Sequence, residues 1–184
     1  MLLRQATLDL LTFARCIEIP AVPVSPGDED CERSHPVGAR FGKHHLVWLD
    51  CLQRVEDGEI KRLMGLMPPG SAKSTYTSIL FPVHVMGRFA GSQMIVANYG
   101  AGLPRKWGRK ARSIVRQKTF GQIFRTALSK ESAAADQWAL QNGSEYMGAG
   151  VLTGITGNRA DGLVWDDLIK GREQADSSLM RQKT

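Results

Sequence analysis

Apolar and polar positions alternate along the chain in a way that switches repeatedly between helical and strand periods. Leu3, Leu8, Leu11, Ala14 and Ile17 recur at helical spacing and predict an amphipathic helix over residues 2–18. Residues 19–40 read as a connector, because four prolines, Gly27 and the acidic Asp28-Glu29-Asp30 run oppose regular structure. A second helix follows from His44 to Gly58, with Leu46, Leu49, Cys51, Leu52 and Val55 as its apolar stripe and Gly58 at its C-terminal stop. Leu63, Met64, Leu66 and Met67 predict a short buried strand. The helix after it, over about 73–87, carries Ile79, Leu80, Val83 and Met86 on one face, with a kink or early stop near Phe81 because Pro82 cannot continue the ladder.

The second half repeats the alternation. Gln93–Asn98 is almost wholly apolar and suits a strand covered on both faces. Pro104 marks the first turn of a helix whose apolar stripe is Leu103, Trp107, Ala111, Ile114 and Val115. A short helix is expected around Phe120–Phe124. Asn142-Gly143 joins Trp138–Leu140 to Ser144–Met147 as a hairpin. A glycine-spaced strand and turn over residues 148–157 precede the strand Gly162–Trp165, and the polar tail from Arg172 to Thr184 reads as helical. Strands alternating with helices predict an α/β fold with a mostly parallel sheet flanked by helices.

Composition narrows the class. At 184 residues, 42% hydrophobic and 23% charged, the chain has the make-up of a soluble globular domain with a sizeable core. No apolar run reaches the length of a membrane span, and Asp9 interrupts what a signal peptide would need. Cys16, Cys31 and Cys51 are odd in number and lack CxxC spacing, which predicts reduced thiols and no zinc site. Charge is uneven. Between Glu59 and Glu131 there is no carboxylate but 13 Lys and Arg. Such a block implies an anionic partner, either nucleotide phosphates or a nucleic-acid backbone, with a solvated basic face as the bland alternative; Arg105, Lys106, Arg109, Lys110, Arg112 and Arg116 form a cationic ridge opposite the apolar stripe of their helix.

Two stretches carry candidate chemistry. Met67-Pro68-Pro69-Gly70-Ser71-Ala72-Lys73-Ser74-Thr75 lies between an expected strand and an expected helix, the layout of a phosphate-binding loop. Helix N–H groups would face the phosphates, Lys73 would add a mobile cation, and the Ser74 hydroxyl would ligate Mg²⁺. Against G-x-x-x-x-G-K-[ST], Met67 and Ala72 stand where glycines belong. A turn followed by an ordinary helix start is the bland alternative. The second stretch is Leu163-Val164-Trp165-Asp166-Asp167, an apolar strand ending in two acids at the sheet edge where such a loop opens. Asp166 would hold Mg²⁺ through water, and Asp167 would orient and deprotonate the attacking water.

Several ordered motifs over about residues 40–180 resemble the large terminase subunit of tailed phages: His44-His45, Ile60–Met64, the Met67–Ser74 loop, Ile95–Tyr99, Trp138…Gly143-Ser144, Gly150…Thr156–Asp161 and Asp166-Asp167. The resemblance implies a P-loop ATPase of the RecA/ASCE type that hydrolyses ATP with Mg²⁺ to drive double-stranded DNA into a capsid. It also implies a homo-oligomeric ring, a small terminase subunit and a portal or procapsid as partners, and the host cytoplasm as location. Carried over residue by residue, it makes Lys73 and Asp167 catalytic and gives Pro69, Gly70, Ser71, Ala72, Lys73, Ser74 and Thr75 to ATP. Ser74 and Asp166 would hold the metal. Arg159 becomes a candidate arginine finger, in cis or in trans, and His44 and His45 match a motif near the nucleotide base. Glu is widespread in that family where Asp167 stands. On this reading residues 1–40 are an N-terminal helix and connector, and residues 41–184 are an ATPase domain that is C-terminally incomplete, without the coupling strand or the nuclease. The alternatives are a non-catalytic prophage remnant that binds nucleotide or DNA without turnover, and a helicase of the same fold, which lacks its motif set here.

Overall fold

The computed structural model describes residues 2–20, 35–36, 41–151, 155 and 157–169. The glycine-spaced turn at Leu152–Gly154 and Thr156, the tail from residue 170, most of the connector, and Cys31 lie outside the described residues.

The N-terminal stretch forms two helices, α1 (Leu2–Ala6) and α2 (Leu10–Cys16), where the pattern predicted one. Asp9 makes the break: its carboxylate accepts the Thr12 N–H at 2.6 Å and starts a new helix. The buried positions become Ala6, Leu10, Phe13, Ala14 and Ile17, leaving Leu3 and Leu8 exposed. A two-residue ladder follows, β1 (Glu18–Ile19) with β2 (His35–Pro36). Helix α3 (Lys43–Glu56) buries Trp48, Leu49 and Leu52, and Gly58 adopts the left-handed φ of +79° just past its end, as expected of a stop signal.

The helix after the loop is continuous through Pro82, with a local widening. Residues Thr75–Leu80 form a π-helical turn that runs into α4 (Phe81–Arg88). Pro82 has no N–H to give the Ser78 carbonyl four residues back, and its ring crowds that carbonyl in a regular α-turn. The Tyr146 hydroxyl donates to Ser78 O instead, at 3.4 Å. The predicted kink is thus absorbed as a π-turn.

Five strands build the main sheet: β3 (Gln93–Asn98), β4 (Leu128–Ala133), β5 (Gln137–Leu140), β6 (Glu145–Gly150) and β7 (Gly162–Trp165), in the order β4-β5-β6-β3-β7. Only β6, β3 and β7 are parallel, while β4-β5-β6 is antiparallel, so the sheet is mixed. The hairpin at Asn142-Gly143 forms as read, with Gly143 at φ +84°. Its Trp138 and Tyr146 rings stack at 5.0 Å and are fully buried. Strand β4 was not legible in the pattern.

Helix α5 (Gly102–Val115) packs on β6 so closely that a Cβ at Gly148 would stand 2.8 Å from the Pro104 carbonyl. Pro104 falls in its first turn as predicted, but Leu103 is exposed and Pro104 takes its place on the buried face. A short helix, α6 (Lys118–Phe124), agrees with the expected one. No helix among the described residues is long and apolar enough to cross a membrane.

One predicted strand does not form. Residues 62–68 carry no regular secondary structure and are absent from the sheet, and no backbone hydrogen bond joins them to β7 among the described residues. Leu63, Gly65 and Met67 are half-buried, whereas Met64 and Leu66 are 85% and 90% exposed. Gly65 lies flat against Trp48, where a Cβ would run into the indole. Between this segment and β7 lies a groove of about 760 Å³, floored by Trp48, Leu52 and Phe81. Among the described residues β7 is therefore an edge, and its Leu163 and Trp165 are exposed rather than buried as predicted.

Candidate active site

Lys73 begins the helix after the Pro-Pro-Gly turn, and Asp166 and Asp167 follow the last residue of β7. The fold brings them together. Lys73 Nζ lies 3.0 Å from Asp166 Oδ1 and 3.1 Å from Asp167 Oδ1, across more than ninety residues of chain. Burial opposes the ammonium, but the hydrogen bonds and charges of Asp166 and Asp167 outweigh it and hold Lys73 above its ordinary value. Lys73 and Asp166 close one end of the groove beside β7.

The loop itself is bent by two left-handed residues, Gly70 at φ +80° and Ala72 at φ +60°. Ala72 therefore holds the glycine-favouring conformation without being glycine, at a cost of roughly 1 kcal/mol. The Ser71 amide closes the turn on the Pro68 carbonyl at 3.3 Å. Pro69 and Gly70 are exposed, while Ser71, Lys73, Ser74 and Thr75 are half-buried. His45 stands against the loop: it hydrogen-bonds the Ser71 backbone, and its Nδ1 accepts the Gly42 N–H at 3.2 Å. Its ring is 3.9 Å from His44 and 5.1 Å from Tyr76. Burial, then the neighbouring charge of His44, holds His45 below its ordinary value in spite of the Ser71 bond. Burial also pushes the Tyr76 phenol up to about 12.

One buried polar atom of the loop, Ser71 Oγ, has no hydrogen-bond partner among the described residues, whereas the buried Asp166 Oδ1 is met by the Lys73 ammonium at 3.0 Å. A buried hydroxyl without a partner is uncommon and marks a place where a ligand completes the pairing. The oxygen donors present, the Ser74 hydroxyl and the Asp166 carboxylate, suit Mg²⁺. No cluster of three or more His, Cys, Asp or Glu among the described residues could hold a metal alone. Mg²⁺ would accordingly take its other ligands from phosphate oxygens and water, which is its usual habit.

Other predicted site residues are not drawn in. Arg159 is exposed and precedes β7, whereas Lys73 meets the acids at the opposite end of that strand, roughly 13 Å of chain away. No ion pair joins it to the carboxylates among the described residues. His44 is exposed beside His45. On α5, Arg105, Lys106 and, just past its end, Arg116 are exposed, while Arg109, Lys110 and Arg112 are half-buried, and Arg112 donates to the Ala134 carbonyl at 2.8 Å. The ridge is real but narrower than the sequence implied.

Two residues at the site had not been singled out. Ser78 donates to Asp166 Oδ2 at 2.9 Å, and Asn98 donates to the carbonyls of Asp166 and Asp167 at 2.6 and 3.1 Å. The available signal was polarity out of place: a Ser on the apolar face of its helix and an Asn ending an apolar strand. No protein-family model, curated protein or solved structure matches the chain.

Proposed function

We propose that this chain is a P-loop ATPase that binds ATP with Mg²⁺ and acts on double-stranded DNA, in the manner of a large terminase subunit. The observation that carries the proposal is the meeting of Lys73 with Asp166 and Asp167 beside a left-handed loop that opens a helix.

In this reading the Lys73 ammonium exchanges its carboxylate partners for the β- and γ-phosphates, with the loop amides and the start of the helix facing the same charge. Ser74 and Asp166 would hold Mg²⁺, which supplies charge neutralisation on the phosphates. Asp167, whose side chain is 69% exposed, is free to accept a proton from water and orient it. His45, which packs on Tyr76 beside the loop, would meet an edge of the base. The exposed cations of α5 offer a phosphate-backbone contact. The capsid portal, small subunit and ring come from the resemblance alone.

The test is equilibrium binding of a fluorescent ATP analogue with Mg²⁺, followed by DNA-stimulated phosphate release. Lys73→Ala is expected to weaken binding at least about tenfold, since it removes a charge-assisted contact. Undiminished affinity in that variant would overturn the proposal. The position of Arg159 away from the acids favours a second reading, nucleotide binding without turnover; phosphate release by the wild-type chain would exclude it.

A further inference from the structure

Were β7 to continue straight past Trp165, Asp166 and Asp167 would project to opposite faces and could not both reach one ammonium. They do, and the backbone shows how: Asp167 takes a left-handed φ of +50°, which swings its carboxylate back toward Lys73. A non-glycine residue keeps such a conformation only when its surroundings over-determine it. Asn98, 1% exposed at the end of β3, supplies that constraint. Its Nδ2 bridges the carbonyls of Asp166 and Asp167, and its Oδ1 accepts the Gly100 N–H at 3.3 Å. The next amide, Tyr99 N–H, donates to Asp167 O at 3.3 Å. The Asp166 amide stays in the ladder on Ala97 O at 2.9 Å.

The other half of the arrangement acts on the side chain. Asp166 has two buried oxygens in unlike situations. Oδ2 accepts from the fully buried Ser78 hydroxyl, while Oδ1 accepts from the Lys73 ammonium at 3.0 Å. Ser78 sits in the π-turn, whose carbonyl at the same residue is taken by Tyr146. A neutral donor thus fixes the carboxylate rotamer and leaves the other oxygen to Lys73, the cation that the ATPase reading moves to the phosphates.

We propose that Asn98 and Ser78 are positioning residues of the acidic pair, Asn98 setting the turn that aims Asp167 and Ser78 setting the rotamer that leaves Asp166 Oδ1 available to a ligand. The inference rests on the ATPase reading for its consequences but not for its geometry. Both side chains are buried, so in that reading neither would touch the nucleotide.

The experiment uses the full chain with Asn98→Leu and Ser78→Ala. Amide exchange by NMR needs no nucleotide: in Asn98→Leu the Tyr99 amide is expected to exchange at least about tenfold faster while the Asp166 amide keeps its protection. Turnover is expected to show a split, with kcat for ATP down by about tenfold or more and KM within about threefold, because Asp167 acts in the transition state only. Ser78→Ala is expected to raise the Mg²⁺ concentration needed for half-maximal nucleotide binding by about threefold or more, with affinity at saturating Mg²⁺ unchanged. Wild-type exchange at Tyr99 in Asn98→Leu would overturn the proposal. So would loss of protection at both amides, the result of a merely structural role. If the wild-type chain releases no phosphate, the ATPase reading fails and the exchange result still decides whether Asn98 sets the turn.

Discussion

Replacing His84 with Leu should destabilise this protein more than any other single change away from the loop. The His84 ring and the Glu56 side chain have no exposed surface. His84 Nδ1 lies 2.9 Å from both Glu56 oxygens, and Nε2 lies 3.1 Å from the Ala6 carbonyl. Each ring nitrogen thus faces an oxygen, the Glu56 carboxyl on one side and the Ala6 carbonyl on the other. The pair ties together α1, α3 and α4. Leucine keeps the bulk but leaves Glu56 with only Arg88, at 3.6 Å, and Arg88 is already committed to Asp57 at 2.8 Å. Breaking a buried pair costs about 3–5 kcal/mol, and Arg88 moves the estimate to about 3. The orphaned Ala6 carbonyl adds about 1 kcal/mol. A loss of about 4 kcal/mol is a large share of the 5–15 kcal/mol typical of a domain, and corresponds to a Tm drop of roughly 8–16 °C. The double variant Glu56→Leu/His84→Leu removes the stranded charge, and is expected to recover to within about 2 kcal/mol of wild type. Urea unfolding followed by tryptophan fluorescence, with the four variants as a cycle, measures this directly. A cost below about 1 kcal/mol for His84→Leu, or single effects that simply add, would refute the reasoning.

The loop makes an opposed pair of predictions. Ala72→Gly should be neutral to stabilising by up to about 1 kcal/mol, because relief of the φ +60° strain outweighs the entropy glycine returns to the unfolded chain; Gly70→Ala should cost about 1 kcal/mol for its φ of +80° although nothing crowds a Cβ there. Thermal melts with the reverse order would contradict the loop conformation. His45, held below its ordinary 6.5 in the folded chain, contributes stability that is present above that value and lost as pH falls through the folded one. The Tm difference between wild type and His45→Asn should therefore shrink or change sign from about pH 7.5 to about pH 5; a pH-independent difference would refute it. Changing the exposed Arg105 and Lys106 to Gln should reduce the slope of log affinity against log salt for a short DNA duplex by about 1.8, and an unchanged slope in an anisotropy titration would remove α5 from the interface.

What the sequence determined by itself are the features with a local cause. The stop of α3 at Gly58, the first-turn Pro104 of α5, the strand at Gln93–Asn98 and the hairpin at Asn142-Gly143 each follow from backbone preferences within a few residues. The two halves of the candidate site were legible for the same reason: a turn before Lys73-Ser74, and paired acids after an apolar run. Tertiary structure decided everything that depends on what lies across the molecule. The apolar run at Leu63–Met67 has strand chemistry but no backbone hydrogen bond to a strand among the described residues, so it stays out of their sheet, where β7 is an edge. The sign of φ at Ala72 and Asp167, the wrong end of β7 for Arg159, and the roles of Ser78 and Asn98 have no local signature. They arise because segments some seventy to ninety residues apart are pressed together, and the positions of Lys73 and the two acids relative to one another are fixed by those contacts rather than by any spacing in the chain.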